Sequence, residues 1–242
     1  MSPAHKACPI EQEDKILSAA ADCINEASLT DFTMSAIAKR AGMSMGSIYK
    51  HIHSKEDVLL ALATKAHEAL LRCFRDIYHC AELTPAERLI ALSLLDFNRV
   101  DAYPFVRHLE MLVSNHVILE RASPLWRTRL QTSAADLTLQ CESYIQNAIE
   151  NGELKPHTDP LNTVKQITLA VWSLNVGSIQ VLLQTVEPSS RTTDQRLPFP
   201  QETTAPHVFN MKRLINSFDW EYPLDDKGIE KAATQLTTMG YR

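Results

Sequence analysis

FTMSAIAKRAGMSMGSIYKHIHSKED, running from Phe32 to Asp57, decides the fold. Thr33 is a good N-cap, and Phe32 before it can staple to Ile37, four positions into the helix that follows. Gly42 ends that helix as a residue able to take the left-handed conformation. Met43-Ser44 then repeats the device, with Ser44 as N-cap and Met43 stapling to Ile48, so a second short helix starts at once. Ser54, followed three residues later by Asp57, opens a third helix through Val58, Leu59, Leu62, Leu70 and Phe74. Two short helices joined by a tight glycine turn, followed by a long one, predict helix-turn-helix geometry.

The second short helix is unusual in what it leaves outside. On a helical wheel for Ser44 to Ile52, Ile48 and Ile52 share one face, while Gly46, Ser47, Lys50 and His51 lie on the other. Gly46 inside a helix costs roughly 1 kcal/mol relative to alanine, so it must serve something other than stability. From Thr33 to Lys55 the chain carries Lys39, Arg40, Lys50 and Lys55 and no carboxylate, although its formal net charge is −5. That local asymmetry fits a polyphosphate partner. A glycine in the first turn lets the helix approach a duplex closely where its amides and dipole favour phosphate. Ser47 is short enough to meet a base edge, and Met45 can touch a thymine methyl or pack in the core. Tyr49, His51 and Lys55 suit phosphate clamping, which sets register without reading sequence; the Tyr49 ring could equally be core with its hydroxyl exposed. The DNA-contact candidates are Thr33, Ser44, Met45, Gly46, Ser47, Tyr49, Lys50, His51 and Lys55.

Outward from this stretch, apolar positions recur at helical spacing almost throughout, which predicts an all-α protein. Ile16, Ala20, Ile24 and Ala27 form a first stripe. Thr84-Pro85 starts a helix expected to end near Tyr103-Pro104, and Pro104 another reaching about His116. Pro124 opens a long helix closed by Asn151-Gly152. The helix after Pro160 is apolar on more than one side, with Ile167, Leu169, Val171, Trp172, Leu174, Ile179 and Leu182, and so is buried or lies at an interface. Glu187 to Pro206, with four prolines among polar residues, reads as a mobile loop dispensable for DNA binding. A short amphipathic helix follows from Val208 to Phe218, and a last one near Ile229 to Met239.

Composition sets bounds. A chain of 242 residues with 45% hydrophobic content and six glycines favours a small helical domain joined to a larger one. The N-terminal segment has no apolar signal region, and the run Leu169 to Leu183 is broken by Asn175 and Gln180, which reads as cytoplasmic with no membrane partner. Five irregularly spaced cysteines make neither a disulfide framework nor a zinc signature, and read as reduced thiols. Cys73 and Cys80 would stand about 10 Å apart along a helix, beyond disulfide reach. His51 and His53 lack a further ligand nearby, so no metal and no cofactor is expected.

The residues Thr33, Ile37-Ala38, Ala41-Gly42, Ser44, Gly46, Ile48-Tyr49, His51 and Ser54-Lys55-Glu56 together resemble the DNA-binding region of the tetracycline-repressor (TetR) family of bacterial transcription regulators, from about Ile16 to Ala66. The resemblance implies a homodimer whose recognition helices enter successive major grooves of a palindromic double-stranded operator. It also implies a C-terminal domain with a two-helix dimer interface and a cavity for a small-molecule effector. The expected division is a DNA-binding domain at 10–56 and a ligand-binding and dimerisation domain at 57–242, with Leu161 to Gln184 and Val208 to Phe218 as interface helices. Phe97, Phe105, His108, Met111, Trp126 and Trp172 could line the cavity for an apolar or amphipathic effector, or could be ordinary core. Two other readings compete with an effector-released repressor: a DNA-binding activator or architectural protein needing no ligand, and a helical enzyme. Against the enzyme, the chain carries no P-loop, G-x-S-x-G or H-E-x-x-H; His67-Glu68 has Leu71 where a second histidine would stand.

Overall fold

The computed structural model describes residues 8–157, 159–185 and 198–242, and its architecture is all-α. Contacts divide it into two compact units, one of residues up to Ala66 with Tyr103–Ser133, the other of His67–Ala102 with everything from Ala134.

The first unit is built on α1 (Pro9–Glu26), which buries Ile16, Leu17, Ala20 and Ile24. In α2 (Met34–Ala41) the Thr33 hydroxyl accepts from the Ala36 amide at 3.1 Å, and Phe32 and Ile37 are both buried as the staple requires. Gly42 closes the helix at φ +61°. In α3 (Met45–Ile48) Ser44 accepts from the Ser47 amide at 3.1 Å; Met43 is half-buried on the same core and Ile48 fully buried. Regular helix ends sooner than the wheel assumed, and a tightened turn carries the chain on, with the His51 and Ile52 amides donating to the Ile48 carbonyl at 2.9 and 3.0 Å. Ile52 is thereby buried beside Ile48. At the start of α4 (Lys55–Tyr78) Ser54 accepts from the Asp57 amide at 3.0 Å, and the Asp57 carboxylate reaches one residue further back than in a standard capping box, to the His53 amide at 3.0 Å. The unit is completed by α7 (Val106–Val113), α8 (His116–Arg121) and the first turns of α9 (Pro124–Glu150), which add Leu109, Val113, Trp126 and Leu130 to one apolar core with the helix-turn-helix.

The second unit holds the rest of α4 and α9 with α5 (Pro85–Ala91), α6 (Phe97–Val100), α10 (Pro160–Thr185), α11 (Pro206–Ile215) and α12 (Asp226–Met239). A minimal antiparallel pair joins β1 (Leu154–Lys155) to β2 (Asp219–Trp220). Thr84 caps α5 through a capping box with Glu87. The single helix expected from Thr84 to Tyr103 is broken: after a 3-10 turn at Leu92–Leu94, Asp96 caps a new turn by accepting from the Asn98 amide, and its own amide donates to the Tyr241 carbonyl at 2.9 Å. Similarly, Asn115 divides the stretch after Pro104 into α7 and α8 by accepting from the Val117 amide. The α11 stripe is not left over for a partner, because Met211 and Ile215 are buried in the unit's own core and Leu214 and Phe218 pack against it. Most of the loop expected from Glu187 to Pro206 lies outside the described residues; of the remainder, Phe199 meets the Phe97 ring edge-on at 5.0 Å.

A Cβ at Gly42 would meet nothing within 4 Å, so only the left-handed backbone opposes a side chain there. Gly42→Ala is expected to cost about 1 kcal/mol, read as a lowered urea midpoint with unchanged slope.

Candidate nucleic-acid interface

The burial of Ile48 and Ile52 turns the opposite side of the Ser44–Ile52 segment outward. Ser44, Gly46, Tyr49 and Lys50 are exposed, joined by Thr33, Ser35 and Lys39 from α2 and its cap. Tyr49 is 44% exposed, so its ring is no part of the core, and both ring and hydroxyl are available. Met45 is half-buried and packs against the core, which leaves less of it for a base contact. Ser47 is half-buried, with its hydroxyl 2.9 Å from that of Ser44. Thr33, already accepting from Ala36, lies 3.1 Å from the Ser35 hydroxyl. A capping hydroxyl still carries a proton to donate, so these side chains are compatible with phosphate contact while serving the fold.

The four basic residues differ in availability. The Arg40 guanidinium is bound to Glu26 and lies 3.7 Å from Asp22, both on α1, so its charge is neutralised inside the unit. The Lys55 ammonium donates to the Thr30 carbonyl at 3.2 Å and sits 5.1 Å from the centre of the Phe32 ring, tying down the loop before α2. Among the described residues Lys39 and Lys50 have no carboxylate partner and are exposed. His51 is half-buried, its Nε2 3.1 Å from Gln12 Oε1 on α1, so its ring is held by the fold as well as being placed near the surface. Lys39 and Ser35 extend the candidate set. The signal for Lys39 was present in the charge count, whereas Ser35 could be found only once its side chain was seen beside Thr33.

The effector candidates scatter by role. In the first unit Phe105 stacks on Tyr103 at 5.4 Å, His108 and Met111 are exposed, and Trp126 is buried at 2% exposure. In the second, Phe97 packs at the core margin and Trp172 is 59% exposed on α10. A cleft of about 530 Å³ in the second unit is lined by Tyr78, Arg88, Leu139, Gln140, Tyr144 and Glu153 among others, and by none of these six. Tyr78 and Tyr144 stack there at 4.3 Å, and burial pushes both hydroxyls above the usual tyrosine range. Burial likewise pushes the Cys73 thiol up to about 12.

Residues 16–62 match the family model for bacterial regulatory proteins, tetR family. No curated protein matches. Among solved structures, the chain is similar to Escherichia coli NemR in its reduced form, at 16% identity, TM-score 0.56, covering 88% of this chain and 100% of that one. It is also similar to the regulator FadR of Bacillus subtilis in complex with stearoyl-CoA, at 18% identity and TM-score 0.52 over 84% of this chain and 95% of that one. A third is SmeT in complex with triclosan, at 18% identity and TM-score 0.51 over 89% of this chain and 95% of that one. At these identities the likeness is one of fold, the all-α fold with an N-terminal helix-turn-helix that the sequence resemblance implied.

A Cβ at Gly46 would meet only Ser44 Oγ, at 3.9 Å, and the backbone there is helical, so the fold itself has room for alanine. Gly46→Ala is therefore expected to raise unfolding stability by about 0.5–1 kcal/mol, while weakening DNA binding because the new methyl stands on the face that approaches the duplex. Thermal unfolding and a DNA titration of the same variant check the two halves.

Proposed function

We propose that this protein is a dimeric, non-enzymatic transcription regulator of TetR type, a cytoplasmic repressor released from a palindromic operator by an apolar or amphipathic small molecule. The supporting observation is the doubly capped and stapled helix-turn-helix, whose outward face carries small hydroxyls, a glycine and exposed lysines instead of apolar residues. In this reading residues 10–56 carry the DNA contacts and 57–242 the effector and dimer functions. Ser47, and Met45 in a lesser part, face base edges, while Thr33, Ser44, Tyr49, Lys50, His51 and Lys55 hold phosphate. FadR with stearoyl-CoA, an amphipathic ligand, and SmeT with triclosan, a largely apolar one, favour the same effector chemistry here.

Dimerisation is supported by α10. Leu161, Leu169, Trp172 and Val176 are exposed along one side of it, spaced three to eight residues apart as a helical stripe requires. This helix is long and apolar enough to cross a membrane by length and composition, with only 17% of its most apolar window buried. Asn162, Lys165, Gln166 and Ser173 are exposed on the same helix, a mixture that suits a protein partner better than hydrocarbon. A second copy would bring identical stripes together about a two-fold axis. On α11 the exposed apolar residue is Phe209, with the Arg213 guanidinium 4.2 Å from its ring centre.

Trp172→Asp is expected to convert a micromolar dimer into a monomer in sedimentation, with helix content kept because the side chain is exposed; a monomeric unmodified chain would end the dimer assignment. For DNA, Lys50→Ala should lower the salt slope by about 1 for each half-site, whereas Ser47→Ala should leave the slope unchanged and alter base preference. Lys55→Ala with an unchanged slope would show that its ammonium serves the Thr30 carbonyl and not phosphate. A thermal-shift screen of hydrophobic metabolites tests the effector: a ligand at 100 times its Kd adds about 2.7 kcal/mol, and a regulator needing no ligand would show no such hit.

A further inference from the structure

The residues just after the recognition helix are held from one place, the start of α9. Trp126, its ring buried at 2% exposure, donates its indole N–H to the His51 carbonyl at 3.2 Å. The Ser123 amide donates to Asp57 Oδ1 at 2.6 Å, and the other oxygen of that fully buried carboxylate accepts from the His53 amide at 3.0 Å. The Arg129 guanidinium lies 4.5 Å from the Trp126 ring centre and reaches both carboxylate oxygens of Glu13 on α1, at 2.9 and 3.1 Å. Ser123 immediately precedes α9, and Trp126 and Arg129 stand three residues apart at its start.

These contacts do more than fill a core. Packing alone would be met by the ring of Trp126 and by Leu130, yet two backbone groups flanking Ile52 are each fixed by a directional hydrogen bond, one direct and one through Asp57. The helix that makes these contacts continues unbroken to Glu150, and its later residues Leu139, Gln140 and Tyr144 line the cleft of the second unit.

We infer that the first turns of α9 are a latch that sets the recognition helix for base reading, with Trp126 and Asp57 as positioning residues that touch no DNA themselves. The inference rests on the reading of Thr33–Lys55 as a DNA-reading surface. A positioning residue has a particular signature: its loss lowers binding to the chosen sequence but not to DNA in general, and it leaves the salt slope unchanged because no phosphate contact is removed.

The test uses the full chain. A duplex sequence is first selected from a random pool by the unmodified protein; a pool from which nothing is enriched would overturn the DNA-reading assignment, and the latch with it. With a selected sequence in hand, Trp126→Phe keeps most of the ring and removes the N–H. The expected result is about a tenfold fall in the ratio of specific to nonspecific affinity, with the salt slope unchanged and binding measured well below the unfolding midpoint. A ratio within twofold of the unmodified protein would overturn the latch. Should Trp126→Phe fail to fold, the exposed end of the array decides. Arg129→Glu should lower the ratio and Glu13→Arg combined with it should restore it, whereas a ratio unmoved by Arg129→Glu would overturn the proposal.

Discussion

Ile48 and Ile52 have no exposed surface, and that constraint governs the rest of the N-terminal unit. A helix of four regular residues has no stability of its own, since nucleation costs more than so few hydrogen bonds return. It exists because Ser44 caps it, Met43 and Ile48 pack it, and the two isoleucines dock on α1, α4 and Trp126 in one core. Once those two side chains point inward, the period of the helix leaves Gly46, Tyr49 and Lys50 no direction but outward. Polar or small residues on that side therefore cost the fold little, and its surface is free to be chosen for a partner.

What was legible in the sequence was local. Caps, staples and the left-handed glycine involve residues three to five apart, so Thr33, Gly42, Ser44 and Ser54 could be placed before any contact was seen. What was not legible came from distant parts of the chain. Arg40 counts as a free cation in a window from Thr33 to Lys55, but Glu26 and Asp22 arrive from α1 to neutralise it. Asp96 is an ordinary capping residue in sequence, and here it starts α6 while its amide is taken by the Tyr241 carbonyl from the far end of the chain. The α11 stripe showed that a partner was needed without showing that α10, α5 and the 3-10 turn at Leu92–Leu94 of the same chain supply it. The aromatic residues chosen for a cavity had no local signal at all, since size and apolarity describe core and ligand lining alike.

Two kinds of local sacrifice can be separated. Gly46 gives up helix propensity where a methyl would fit, and the α10 face leaves Leu169 and Trp172 in water. Among the described residues neither is compensated. Arg40 on Glu26 is the opposite case, a group of apparent function neutralised internally. Counting charges without that distinction would add Arg40 to the cations offered to phosphate.

The distinction bears on why the two outward-facing features belong together. With Arg40 neutralised and Lys55 docked, the exposed and unpaired lysines of the segment are Lys39 and Lys50, in a chain of net charge −5. Under the proposed function, so few free cations would release few counterions and so would give a single copy low nonspecific affinity at physiological salt. In the proposed dimer, joining two copies through the α10 stripe would make the second half-site an intramolecular encounter, which can raise overall affinity by roughly 10²–10⁴ where the spacing matches. The gain is confined to sequences that present two half-sites at that spacing. Under the proposed function, few exposed lysines on the reading face and an apolar face on α10 would act as two halves of one device: the first would lower affinity for the wrong DNA, and the second would restore it only for a palindrome.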